Sequence, residues 1–261
     1  MKIEVISKKP RLVFVIRGIN TATANMLRRT AYDVPILAID TVEFVKNDSV
    51  LYDEILAHRI GLIPLETDKT FTPIEECSCK GKGCGKCSAS LTLNVSGPKM
   101  VYSKDMKGKG VSVVNSDIPL VILQKGQELE FIANARLGTA KEHAKFSPGL
   151  IFFNQYPIIE TKQCETEVCQ KCVAACSKKV LDFEGKNIVV KDILKCDLCA
   201  ACEEACKKEG KEAIIVKGSE EDFIFTVESW GQLPEREIFI NICKVLDSNL
   251  KDLAKEANKI K

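Results

Sequence analysis

Residues Gly18–Asp40, GINTATANMLRRTAYDVPILAID, read as one helix running directly into one strand. Thr21 or Thr23 can cap the helix start, because a side-chain oxygen there satisfies backbone N–H groups left free by the first turn. Met26, Leu27, Thr30 and Ala31 share one face at helical spacing. The helix stops near Asp33, since the residue before Pro35 is biased out of the α region, and Ile36, Leu37 and Ile39 then favour an extended strand. Arg28 and Arg29 are adjacent, so the helix directs one of them away from the core. Taken alone, this is a half-buried core element and no more.

The next stretch, Asp53–Leu65 or DEILAHRIGLIPL, is a short helix ending at Gly61 and then an apolar run containing Pro64. With the first stretch it resembles the amino-terminal domain of the RNA polymerase assembly subunit family, alpha in bacteria and D in archaea. The matching residues are Asn25, Leu27, Arg28, Arg29, Val34, Pro35, Ala38 and Ile39, then Leu56, His58, Arg59, Gly61, Leu62, Ile63 and Pro64. Glu142–Pro148 (EHAKFSP), Phe223–Leu233 (FIFTVESWGQL) and a closing amphipathic helix look like the archaeal form. His58, one of two histidines, reads as a hydrogen-bonded structural residue.

Composition agrees with that resemblance without producing it. A chain of 261 residues with 45% hydrophobic content can bury a sizeable core and has room for about two domains. Its net charge of +2 is nearly neutral, which argues against direct duplex binding as its main task. There is no signal peptide pattern and no apolar run long enough to span a bilayer, so the expectation is a cytoplasmic protein with no membrane role. In that reducing compartment, thirteen cysteines read as metal ligands sooner than as disulfides.

Along the chain, Lys2–Ser7 and Leu12–Ile16 read as strands joined by a turn at Lys8–Pro10. Ala38–Val45 and Ser49–Leu51 flank a polar turn at Asn47 and Asp48. Leu91–Val95, Ile118–Leu123, Leu129–Ala135 and Leu150–Phe153 are further strands, separated by glycine-rich turns. No nucleophile with a base, no dinucleotide fingerprint and no paired-acid motif falls in this stretch, which therefore reads as a docking surface and not an active site.

Cysteine spacing carries the chemistry. Cys77, Cys79, Cys84 and Cys87 lie in CSCKGKGCGKC, and Gly81, Gly83 and Gly85 allow the backbone to turn four sulfurs toward one point. Four thiolates with no open position suit a structural zinc. A phosphate loop is excluded, because Cys87 stands where a serine or threonine belongs. Farther on, Cys196, Cys199, Cys202 and Cys206 have the spacing of bacterial-type ferredoxins. Cys169, Cys172 and Cys176 repeat the last three at an offset of thirty residues, with strand signals at Val180–Phe183 and Ala213–Val216. Thr166 stands where that offset predicts another cysteine, and Cys164 is the available substitute. The repeat resembles a two-cluster ferredoxin. That resemblance implies two 4Fe-4S clusters, one held by Cys196, Cys199, Cys202 and Cys176 and the other by Cys169, Cys172, Cys164 and Cys206. The cluster depending on Cys164 could instead take a 3Fe-4S form.

The chain closes on a strand at Phe223–Val227 and a helix of roughly twenty-two residues, about 33 Å long, that begins near Pro234. Phe239, Ile242, Leu246, Leu250 and Leu253 make one apolar stripe along it, with Cys243 beside it. The expected architecture is α+β and discontinuous. Residues 1–38 and 219–261 form a dimerisation domain, 39–162 an inserted and mainly β domain carrying the 77–87 loop, and 163–218 a ferredoxin-like insertion. The family resemblance implies a subunit without catalytic residues that pairs through Met26, Leu27, Phe239, Ile242, Leu246 and Leu250 with a smaller partner, archaeal subunit L. It implies that Arg28, Arg29 and Arg59 face the second-largest polymerase subunit, and that small assembly subunits join them. Two rival readings are an independent ferredoxin-type electron carrier and a redox-sensing DNA-binding regulator; the first leaves most of the chain without a purpose.

Overall fold

The computed structural model describes residues 1–68, 70–162, 166–184 and 187–260, with the side chains of 166–169 excepted. In chain order the elements are β1 (Lys2–Ser7), β2 (Leu12–Arg17), α1 (Thr21–Thr30), β3 (Ile36–Asn47), α2 (Asp53–Gly61), β4 (Ser88–Ser96), β5 (Lys99–Tyr102), β6 (Lys107–Gly108), β7 (Pro119–Leu123) and β8 (Glu128–Gly138). They continue with β9 (Gly149–Thr161), α3 (Thr166–Ala174), β10 (Leu181–Glu184), β11 (Asn187–Val190), α4 (Ala201–Lys208), β12 (Ile214–Ser229) and α5 (Glu235–Ala257). The fold is α+β, with separate sheets and helices. It divides into two compact units, one of Met1–Lys9, Val13–Asn25 and Phe152–Thr226, the other of Pro10–Leu12, Met26–Ile151 and Val227–Lys261.

The first unit is built on a four-stranded sheet in the order β1-β2-β12-β9. Its centre is aromatic: Phe14 stacks on Phe225 at 5.6 Å, and Phe153 meets Phe223 edge-on at 5.5 Å. Arg17 pairs with Asp222 at 2.9 Å and lies over the Tyr156 ring, so the acidic run Glu220–Asp222 is held within the sheet. The segments Ala213–Val216 and Phe223–Val227, which read as two strands, fall in one sixteen-residue strand, β12, that begins at Ile214. A satellite of β10, β11, α3 and α4 has its own core, made of Cys172, Leu181, Ile188, Cys202, Cys206, Ala213 and Ile214. Asn20 and not a threonine caps α1, its Oδ1 accepting from the Thr23 backbone N–H at 2.8 Å and the Thr23 hydroxyl at 2.9 Å.

The second unit contains a four-stranded sheet, β3-β8-β4-β6, and a two-stranded one, β5-β7. Alternation places Leu129, Phe131, Ala133 and Ala135 of β8 and Ala89, Leu91 and Leu93 of β4 inward. α2 packs on β3 and closes this core with Leu56 and Ile60, both fully buried. Ser49–Leu51 is not a strand. The Asn47 side chain bends the chain there, donating to the Leu51 carbonyl at 2.9 Å and accepting from the Ser49 N–H at 3.1 Å. α5 starts after Pro234, as its composition predicts, and buries Ile238 and Ile242 near the turn Ala31–Asp33.

Candidate metal centres and an exposed helix

The 77–87 loop is wound by three residues with positive φ, Lys80, Gly81 and Gly83, which only glycine accepts without strain. Two backbone hydrogen bonds close its second half, from the N–H groups of Cys87 and Ser88 to the Cys84 carbonyl, both at 2.9 Å. The result brings Cys77 and Cys84 sulfurs to 3.6 Å, Cys79 and Cys87 to 3.5 Å, and Cys84 and Cys87 to 3.8 Å. All four sulfurs lie within 4.8 Å of one another. Zinc–sulfur bonds of about 2.3 Å in a tetrahedron give edges of about 3.8 Å, so the donor set fits one such ion and leaves no open position.

The electrostatics point the same way. Burial pushes the Cys79 thiol up, but hydrogen bonds from Cys87 and Cys77 outweigh it and bring it down to about 7. At Cys87 the backbone N–H of Cys84 favours the thiolate, yet burial and the neighbouring thiols push it up to about 12. Four sulfurs this close cannot all carry charge alone; a dication removes that repulsion.

The second cysteine region is arranged differently. Cys176, which follows α3, and Cys196, Cys199 and Cys202, which precede and open α4, line one pocket with Ile159, Val180, Leu181 and Val216. Leu198 and Ala200, on either side of Cys199, both have left-handed backbone. Such alternation turns successive N–H groups toward one side, a geometry that suits an anionic cluster. The Val180 N–H meets the Cys176 sulfur at 3.4 Å. Burial pushes the thiols of Cys196 and Cys202 up. Cys172 and Cys206 are fully buried, and burial with the Cys206 contact pushes Cys172 up to about 11. Cys164 and the side chain of Cys169 lie outside the described residues. Among the described residues, the 77–87 loop is the one four-thiol group tight enough for a single ion.

The residues expected at interfaces are spread across the second unit. Met26 is 39% exposed and Leu27 is buried; Arg28 is half-buried and Arg29 exposed. Exposed Arg59 donates to the Pro119 carbonyl at 2.6 Å. On α5, Ile242 is buried, Phe239 and Leu246 are half-buried, and Leu250 and Leu253 are 52% and 65% exposed. Ile238, absent from the apolar stripe read in the sequence, takes the anchoring role beside Ile242. Exposed Val50, Tyr52, Ile55 and Leu62 surround α2, and Ile122 of the adjoining β7 extends them. Sequence reading missed this patch, although the apolar residues just before Asp53 were its signal. Among the described residues no helix is long and apolar enough to cross a membrane.

Residues 38–152 match the family described as RNA polymerase Rpb3/RpoA insert domain. Over 262 residues the chain is 37% identical to DNA-directed RNA polymerase subunit Rpo3 of Methanosarcina acetivorans, covering 97% of each protein. The same subunit of Archaeoglobus fulgidus is 37% identical over 99% of this chain and 97% of its own length. DNA-directed RNA polymerase II subunit rpb3 of Dictyostelium discoideum is 33% identical over 94% of this chain and 91% of its own. The chain, related along almost its whole length to these proteins, belongs to the Rpo3/Rpb3 family of RNA polymerase subunits.

Proposed function

We propose that this chain is an assembly subunit of an archaeal DNA-directed RNA polymerase, a cytoplasmic platform that pairs with subunit L and then receives the large subunits. The observation that carries this is α5. Its base is anchored by Ile238 and Ile242, while Leu250 and Leu253, farther along the face of Ile242, stay exposed on a helix of twenty-three residues. An apolar stripe of that length costs solubility unless a partner covers it. The dimerisation domain is residues 1–38 and 219–261, the inserted domain 39–162 and the ferredoxin-like domain 163–218. Arg29 and Arg59, with the exposed residues around α2, face the second-largest subunit. The chain contributes no catalytic residue and no direct DNA contact, and the small assembly subunits dock on the same platform.

The cysteines serve the platform in two ways. Cys77, Cys79, Cys84 and Cys87 hold one structural zinc. Cys176, Cys196, Cys199 and Cys202 hold one 4Fe-4S cluster, and Cys164, Cys169, Cys172 and Cys206 hold a second, which falls to a 3Fe-4S form if Cys164 does not reach it. Bound clusters supply one-electron redox centres and cross-link segments distant in sequence. The thiols on this chain position them, and the apolar residues Ile159, Val180 and Val216 line the same pocket.

Coexpression with subunit L tests the reading. The wild-type chain should copurify with L as a soluble heterodimer, whereas Leu250→Asp should retain its circular dichroism and lose the partner. Arg29→Glu or Arg59→Glu should keep the heterodimer and fail to capture the second-largest subunit. A wild-type chain that is a soluble, monodisperse monomer beside L would contradict the proposal.

A further inference from the structure

α4 carries cysteines of both proposed cluster sets, Cys202 at its start and Cys206 one turn later. Between them sits Glu203, which no ligand set uses. Its Oε2 accepts from the backbone N–H of Val216 in β12 at 2.9 Å, and its Oε1 accepts from the Lys207 ammonium at 2.7 Å. A carboxylate here takes the place that a neighbouring strand's carbonyl would fill in a ladder. Three residues along the helix, the Cys206 sulfur accepts from the Ala213 N–H at 3.2 Å. Residues three apart share a helix face, so α4 is stitched at two adjacent points to the chain around the start of β12, at Ala213 just before the strand and at Val216 within it.

β12 is no local element. The strand that begins beside Cys206 runs sixteen residues, through Val216 in the cysteine pocket to Phe223 and Phe225 in the aromatic centre of the sheet. Its edge is further fixed by the Lys162 N–H donating to the Ala213 carbonyl at 2.8 Å. Lys207 holds the Glu203 carboxylate ionised, because its hydrogen bond and that of the Val216 N–H lower the proton affinity of the acid.

We propose that Glu203 is a positioning residue that fastens α4, and with it Cys202 and Cys206, to the start of β12, so that the sheet holds the cluster ligands in register. This rests on the reading that these cysteines bind iron–sulfur clusters. It adds a specific cause of their retention that lies outside the ligands themselves. The part that matters is the acceptor for the Val216 N–H; the ion pair to Lys207 is secondary.

The test uses the full-length chain in its heterodimer, prepared anaerobically. Iron release to a ferrous-iron chelator and hydrogen exchange at the Val216 amide are followed in wild type, Glu203→Ala, Glu203→Gln and Lys207→Ala. Loss of the hydrogen bond accepted from the Val216 N–H should make Glu203→Ala release iron about tenfold faster, with faster exchange at Val216. Glu203→Gln, whose amide oxygen still accepts, and Lys207→Ala should stay near wild type. Wild-type release and exchange in Glu203→Ala overturn the proposal, as does a Gln variant that fails as badly as Ala. If the wild-type protein holds no iron, the cluster reading falls, and protection of the Val216 amide still decides whether Glu203 fastens α4.

Discussion

In the 77–87 loop, four cysteines reach one point within eleven residues, through left-handed turns at Lys80, Gly81 and Gly83. In the region from 172 to 206, one pocket draws Cys176 from the end of α3 and three more cysteines from around the start of α4. The first site is local and can form when its own loop closes. The second exists only when α3, α4, β9 and β12 are assembled, since Ile159 and Val216 are among its walls. In the loop three sulfur pairs lie 3.5 to 3.8 Å apart, the spacing of a single-ion cage.

The two sites should lose their metals independently. Cys87→Ser should drop zinc from about one ion per chain to almost none, since a four-thiolate structural site tolerates no missing ligand. Iron should be unchanged. Cys202→Ser should do the reverse, lowering iron from about eight per chain toward four or fewer while zinc stays bound. Elemental analysis of the two variants reads this directly, and a variant that loses both metals would mean the sites are not independent.

A finer cut asks how the distributed site is wired. Cys176→Ser should damage the cluster held by Cys196, Cys199 and Cys202, although Cys176 lies in the first half of the repeat. Electron paramagnetic resonance of the reduced and oxidised variant should show the remaining cluster intact. Cys164→Ser should selectively degrade the other cluster, with a 3Fe-4S signal replacing part of the 4Fe-4S one. If Cys176→Ser spares the cluster of the second motif, the crossed arrangement is wrong.

How much of this was legible follows from the same division. The loop's chemistry can be read from spacing, because all its ligands and the glycines that turn them are contiguous. The helix-to-strand run at Gly18–Asp40 and the boundaries of α2 were also readable, since Pro35 and Gly61 punctuate them locally. What could not be read depends on partners distant in sequence. β12 runs unbroken through the acidic run Glu220–Asp222, where Asp222 pairs with Arg17, about two hundred residues away. The turn at Ser49 replaced a strand because of one asparagine side chain. Ile238 anchors α5 where helical spacing alone favoured Phe239, and exposure of Tyr52 and Ile55 is a tertiary property that periodicity does not encode.

The smallest effect tests a distributed cluster without cysteines. Arg136 of β8 pairs with Asp40 of β3 at 2.8 Å and with Glu142 at 3.0 Å, and Lys145 reaches Asp40 at 3.2 Å. Burial pushes the Asp40 carboxyl up, but hydrogen bonds from Arg136 and Lys145 outweigh it and hold it below its ordinary value. A depressed folded-state pKa contributes stability above the unfolded value of about 3.9 and loses it as pH falls through the folded one. Arg136→Met should therefore cost about 1–2 kcal/mol at pH 7, discounted for partial exposure, and the gap from wild type should shrink near pH 3. Denaturant unfolding at the two pH values measures it; an equal gap at both would remove the network's electrostatic role.

Affinity purification from its native cells tests most directly whether the chain works inside a polymerase. A tagged chain should elute with subunit L and the large polymerase subunits in near-equal amounts, carrying zinc and iron in the same fraction. A tagged chain that elutes alone, with its iron bound and no polymerase subunit beside it, would contradict the assembly role and leave an independent iron–sulfur protein.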